Sequence, residues 1–198
     1  SAFCATRKEP PAQLFVAELM DGGGLGESML LLAASAKRSG LLAPGAQLLP
    51  SRLRVWALLV ELSECGTALD GAELVPACLC GVSLAPWLAY RHQRSYSALE
   101  QEAASYAALA DEALLFEAAL GEEPPADQLL RVRARAAGVA NAVVWTWEVD
   151  LDDSGAPPLR NAAWAPRTHW RQAVQLLPQG RQVAEGDALG LHVRTGGG

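Results

Sequence analysis

The sequence predicts an α+β fold in which one strand, one loop and one helix come first, and an all-β body with a helical insert follows. Three observations carry this expectation. The run "QLFVAELM" (13–20) is apolar on both faces, as a buried strand is, and leads through the glycine-rich "DGGGLG" into Leu, Ala and Met at helical spacing. Three later segments alternate with the period of two that a half-buried strand requires, and two more read as strands. Between them, residues 95–120 are rich in Ala, Glu and Leu, which favour helix by propensity.

Taken in order, residues 1–11 carry charges and prolines and read as a loop, and the strand 13–20 follows. From Glu27, "ESMLLLAASAKRSG" reads as a helix with Lys37 and Arg38 near its end and Gly40 as its stop. Pro44-Gly45 marks a turn and Pro50 a break. Beyond them Leu53, Val55, Ala57 and Leu59 alternate with Arg54, Trp56, Leu58 and Val60. "LLRVRARAAG" has apolar residues at 130, 132 and 134, and "NAVVWTWEVDLDDSG" closes on an Asp-Asp-Ser-Gly turn. "HWRQAVQLLPQG" and "DALGLHVRT" complete the set of strands. The expected division is an α/β segment over 1–49 and a β body over 50–198, with the helical insert at 87–120.

Composition narrows the function. The 198 residues are 51% hydrophobic, ample for a core, and the net charge is -6 with basic residues scattered rather than in runs, which argues against a nucleic-acid footprint. A cationic partner suits this balance better. Cys4, Cys65, Cys78 and Cys80 form no CxxC pair, and the histidines are His92, His169 and His192, so no zinc-ligand spacing is present and the thiols read as reduced and structural. No apolar run, Met29 to Ala34 included, approaches the length that spans a bilayer, and no start resembles a signal peptide. A cytosol-type chain, cytoplasmic or nuclear, is the expectation. With "SAFCATRKEPP" at one end and "RTGGG" at the other, it also reads as a piece of a longer protein.

The chemistry concentrates at "ELMDGGGLGE", where Glu18 and Glu27 stand at the two ends of a glycine loop at the C-terminal edge of a strand. That edge is where open α/β sheets bind ligands. Two carboxylates can perform general acid/base work, hold a divalent metal or clamp a cation. A metal requires further ligands that the neighbourhood, with only Asp21 added, does not supply, which leaves a metal-assisted hydrolase as the poorest of the three. A guanidinium fits best, because it is planar, stays protonated and presents paired N–H donors to carboxylates. The plain structural alternative is that Glu18 ends a strand and Glu27 favours a helix N-terminus, worth roughly 0.3–1 kcal/mol.

"VAELMDGGGLGESML" resembles the double-glutamate loop of the protein arginine N-methyltransferases, with Glu18 and Glu27 in the places of the two glutamates that grip the substrate guanidinium. "APRTHWRQAV" resembles the Thr-His-Trp loop of the same family and lies in the expected order after the β region. The resemblance runs from Leu14 to the end. "VVWTWEVDLDDSG" and "VAEGDALGLHV" are most similar to the seventh-type, monomethylating branch, which has a Leu after the first glutamate and an Asp three positions after it, as Leu19 and Asp21 are here. Met20 departs, since that branch usually has Phe and the dimethylating enzymes have Met.

The resemblance implies the end of a Rossmann-like methyltransferase domain, then an antiparallel β-barrel that binds substrate. S-adenosylmethionine would donate a methyl group to an arginine nitrogen of a protein or peptide, with Glu18 and Glu27 orienting the guanidinium and His169 closing the slot from the barrel side. Trp170 would support that wall or pack in the barrel, and Asp21 could add an acidic contact for substrate. No metal is implied. The family's glycine-rich donor loop lies upstream of the double-glutamate strand, and no GxGxG occurs before Glu18, so the main cofactor site is expected outside this chain. The runner-up from another class is a non-catalytic barrel that binds or assembles with a protein.

Residues 87–120 correspond in place to the family's dimerisation arm, with a helical stripe of Tyr96, Leu99, Ala103, Tyr106 and Leu109, so a dimer or tandem pseudo-dimer is implied for the complete protein. Ordinary intrachain packing accounts for the same stripe. Cys78 and Cys80 read as small core residues, and the six tryptophans as barrel core and seams.

Overall fold

A computed structural model describes residues 10–25, 27–62, 106–162, 170 and 172–194, apart from the side chain of Pro178, and the backbone alone of 78–79, 82–83 and 96–99. Strand β1 (Ala12–Val16) leads through a loop into helix α1 (Met29–Arg38), and β2 (Leu42–Leu49) returns parallel to β1. The helix closes at the expected glycine. Gly40 adopts φ 67°, its N–H donates to Lys37 O at 3.1 Å, and the N–H of Leu41 donates to Ala36 O at 3.0 Å. These are the paired bonds of a left-handed C-terminal closure.

Two boundaries differ from the expectation. β1 is shorter than 13–20, because the N–H of Ala17 still reaches Leu49 O at 2.9 Å but the chain then leaves the sheet, so Glu18 to Met20 belong to the loop. β2 runs through Pro44-Gly45 instead of turning there. Gly45 at φ 78° lies within a register shift that sets Ala12 against Leu42 and Leu14 against Gln47.

The body continues with β3 (Arg52–Leu62), β4 (Cys78–Leu79), β5 (Val82–Ser83), β6 (Tyr96–Leu99), β7 (Tyr106–Ala108), β8 (Ala113–Ala119) and β9 (Asp127–Arg133). β10 (Gly138–Asp150), β11 (Leu159–Arg160), β12 (Gln172–Val183) and β13 (Ala188–Arg194) complete it. A seven-stranded half-barrel sheet runs β6-β12-β10-β3-β7, with β8 also paired to β3 and β11 to β10. β9 and β13 form a separate antiparallel pair. Among the described residues α1 is the one helix.

The helical insert is a correction. Of residues 87–120, 96–99, 106–108 and 113–119 form β6, β7 and β8, and 87–95 and 100–105 lie outside the described residues. Ala, Glu and Leu favour helix locally, but pairing with a long partner strand decides the outcome. β8 lies antiparallel on β3, from Ala119 opposite Arg52 to Ala113 opposite Ala57, burying Leu115, Phe116 and Ala118 and presenting Glu117 to two arginines. The stripe Tyr96, Leu99, Ala103, Tyr106, Leu109 therefore does not form one helical face, since Tyr96, Leu99 and Tyr106 all lie in strands.

Period-two alternation in β3 and β10 sorts the sheet into two faces. Leu53, Val55, Ala57 and Leu59 share the main core with Val143, Trp145, Trp147 and Val149. Met20 from the loop, Met29, Leu30 and Ala33 from α1, and Leu130, Val132, Leu189 and Leu191 from the β9–β13 pair pack into the same core. Each large side chain fully buried there contributes roughly 1.5–3 kcal/mol, and the partly buried Leu130, Val132, Leu189 and Leu191 contribute less. The opposite face is apolar at Leu58, Val60, Ala142, Val144 and Val174, and charged at Arg52, Arg54, Glu148 and Asp150. Of the tryptophans, Trp145 and Trp147 are core, whereas Trp56 lies on the charged face with the Arg160 guanidinium 5.8 Å from its ring centre. Trp87 and Trp164, and Cys4, Cys65 and Cys80, lie outside the described residues.

Candidate functional site

The loop between β1 and α1 holds its shape through two successive turns. In the first, the N–H of Gly24 donates to Asp21 O at 3.1 Å, while the Asp21 carboxylate accepts the N–H of Gly23 at 3.1 Å. This is the local closure an aspartate makes with backbone two residues on. Gly24 is buried at φ 79°, a conformation that favours glycine. In the second turn the N–H of Ser28 donates to Leu25 O at 3.1 Å. Ser28 sits at φ 61°, the left-handed region, and its carbonyl accepts the N–H of Leu32 to start the helix. A non-glycine residue held there stores about 1–2 kcal/mol of strain and persists only where its surroundings impose it.

The first turn is held from the sheet. Trp147 projects inward from β10, opposite Val55 of β3, and its indole N–H donates to Asp21 O at 2.9 Å. β11 pairs with β10 through Glu148–Arg160 and Val149–Leu159, which brings the next residue, Asn161, alongside Trp147. Its amide N–H donates to Gly22 O at 2.9 Å. Its amide oxygen accepts the backbone N–H of Trp147 at 2.7 Å, which fixes the orientation of the amide. Both side chains are completely buried. Trp170 meets Trp147 edge-to-face, with ring centres 5.1 Å apart and planes at 75°.

The expected site residues divide accordingly. Glu18 and Glu27 flank this pinned loop and both are exposed. Asp21 lies within the first turn, with a carboxylate oxygen already committed to Gly23. Trp170 packs against the main core through Trp147. His169 lies outside the described residues. An apolar hollow of about 140 Å³ opens beside the loop, with Gly23, Leu25, Val55 and Trp145 in its wall. The two residues that sequence reasoning missed are Trp147 as a loop anchor and Asn161. A lone amide in "LRNAAWA" is the one local signal that could have drawn attention to it.

Electrostatics on the opposite face hold the supporting strands together. Arg54 of β3 donates to both oxygens of Asp150, at 3.0 and 2.8 Å, to Glu148 at 2.8 Å and to Glu117 at 2.6 Å. The bonds to Asp150 push the Arg54 guanidinium above its ordinary range against the cost of burial, and Glu117 is pulled down by Arg54 and Arg52. Glu112 is pushed up by burial, although the Thr146 hydroxyl donates to it at 2.9 Å and Arg160 lies nearby. Burial likewise raises the Tyr106 phenol.

No protein-family model and no curated protein sequence matches the chain. Among solved structures, a chain of the Trypanosoma brucei PRMT1 enzyme-prozyme heterotetrameric complex with AdoHcy has the same fold, with a TM-score of 0.71 over 96% of this chain and 15% identity. This chain spans 60% of that one.

Proposed function

We propose that this chain supplies the arginine-gripping part of an S-adenosylmethionine-dependent protein arginine N-methyltransferase. The observation that carries the reading is the loop bearing Glu18 and Glu27 at its ends. It joins a parallel strand to a helix and is pinned at the carbonyls of Asp21 and Gly22, in a fold shared with the Trypanosoma brucei PRMT1 complex. In this reading residues 1–49 end the methyltransferase α/β domain and 50–198 form the substrate-binding barrel. Leu14 and Val16 on β1 are 51% and 66% exposed, and Leu31 and Leu32 on α1 are exposed as well. Parallel sheets are ordinarily covered on both faces, so this apolar stripe suits a larger α/β domain that holds the methyl donor.

Glu18 and Glu27 take the guanidinium by paired charge-assisted hydrogen bonds and hold one nitrogen in line with the methyl group. S-adenosylmethionine supplies that methyl group as an electrophile when bound. Negative charge on the two acids concentrates electron density on the attacking nitrogen and stabilises the cation that forms. His169, one residue before Trp170, closes the arginine slot and stands as a candidate proton acceptor. Glu18-Leu19-Met20-Asp21 suits the seventh-type, monomethylating branch at Leu19 and Asp21, with Met20 as the departure. A dimer or tandem pair belongs to the same reading.

The test is methyl transfer from labelled S-adenosylmethionine to an arginine peptide by the full-length protein and by its Glu18→Gln and Glu27→Gln variants. Each substitution removes charge at nearly constant shape. Loss of transfer in both folded variants supports the assignment, and transfer near the parent level defeats it. The exposed stripe also suits a non-catalytic assembly module, which predicts no transfer by the parent protein.

A further inference from the structure

We propose that Trp147 and Asn161 are positioning residues for the acid pair, setting the path of the chain between Glu18 and Glu27 from strands remote in the sequence. The inference rests on the reading of those glutamates as the guanidinium grip. A segment with glycines at 22, 23, 24 and 26 has little conformational preference of its own. Its internal turns fix 21–24 and 25–28 separately, and they leave the position of the loop over the sheet undetermined.

That position comes from two buried donors. The Trp147 indole N–H and the Asn161 amide N–H take the consecutive carbonyls of Asp21 and Gly22, each at 2.9 Å. Neither donor can swing away. Asn161 is locked by the 2.7 Å bond to its own oxygen from the Trp147 backbone, and the Trp147 ring is held between Gly24 and Trp170. A Cβ built on Gly24 would stand 3.0 to 3.1 Å from three atoms of Trp147, so the loop backbone rests directly on the indole. Trp170, the residue after His169 in the sequence, meets the same ring edge-to-face. One buried indole therefore touches both motifs that the proposed chemistry needs.

Packing alone would not require the N–H of Trp147 or the amide of Asn161. Alignment does, because a displacement of about 1 Å at a reacting group can cost on the order of 100-fold in rate. Trp147→Phe keeps an aromatic ring and removes the donor. Replacing Trp147 with β-(3-benzothienyl)alanine removes the N–H at nearly unchanged shape, should the Phe variant fold poorly. Both are made in the full-length protein.

Two readouts apply: amide hydrogen exchange at Gly23 and Gly24, with β9–β13 as the internal reference, and kcat and KM for an arginine peptide. The expected result is at least tenfold faster loop exchange with the reference within twofold, and a drop of at least tenfold in kcat with KM changed less. Loop exchange within twofold of the parent in a folded variant overturns the proposal, as does an unchanged kcat in an active parent. Faster loop exchange when neither parent nor variant transfers methyl upholds the anchoring of the loop, and the methyl-transfer reading is then what fails.

Discussion

Gly24 lies against the indole of Trp147 with no room for a side chain between them, at φ 79° and with a projected Cβ 3.0 Å from the ring Cδ1. Gly24→Ala meets both obstacles, the left-handed backbone and a ring that is itself boxed in by the core. The expected loss is about 1–3 kcal/mol in the midpoint-derived unfolding free energy by urea titration. A variant within 0.5 kcal/mol of the parent, roughly the level of a neutral surface change, would show that the loop does not rest on Trp147.

Arg54→Met removes the cation shared by Glu117, Glu148 and Asp150, while Arg52 stays beside Glu117 and Asp150 and Arg160 beside Glu148. Side-chain hydrogen bonds to charged groups are worth about 1.5–3 kcal/mol each, and the loss is partly relieved by solvent at Glu117, so about 2–3 kcal/mol is expected at neutral pH. Glu117 has its pKa lowered by Arg54 and Arg52, so the stability it contributes is present above the ordinary glutamate value and is lost as pH falls through the lowered one. The gap between parent and Arg54→Met should therefore narrow in acid. Urea titrations at several pH values check this, and a gap that is constant or widens in acid contradicts it.

Glu112 runs the other way. Burial raises its pKa in the folded protein, so the folded state holds the proton more tightly than the unfolded chain does. Its contribution is fully present below the unfolded value and is lost as pH rises through the raised one. Glu112→Gln keeps an acceptor for the Thr146 hydroxyl and abolishes the titration. Stability of the parent relative to this variant should fall as pH rises from the ordinary glutamate range, and parallel curves would contradict the assignment.

Val16→Ser tests whether the exposed apolar residues of β1 are covered in the full-length protein. A surface substitution ordinarily changes stability by no more than about 0.5 kcal/mol. If a further α/β layer covers Val16, the loss should exceed about 1 kcal/mol and be seen as a lower thermal midpoint. An unchanged midpoint would leave the stripe facing solvent.

The strands were legible where one periodicity dominated. β3 and β10 bury alternate residues on the main core, and the turn at Asp152 to Gly155 lies where the sequence puts it, with Ser154 N–H donating to Asp152. The helix α1 and its glycine stop were legible because the signals are local. Residues 106–120 were misread for the opposite reason: each Ala, Glu and Leu prefers helix alone, and the pairing with β3 that overrides this is a long-range fact. Glu18 and Glu27 were visible as an anomaly in an otherwise apolar stretch. Trp147 and Asn161 were not, because their bonds to Asp21 and Gly22 span 126 and 139 positions and leave no local trace.

The most direct measurement is a crystal structure of the full-length protein with S-adenosylhomocysteine and an arginine peptide. The account predicts the carboxylates of Glu18 and Glu27 each within about 3 Å of the peptide guanidinium, with the intervening loop still bonded to Trp147 and Asn161. A guanidinium bound elsewhere, with the two acids directed apart into solvent, would contradict it.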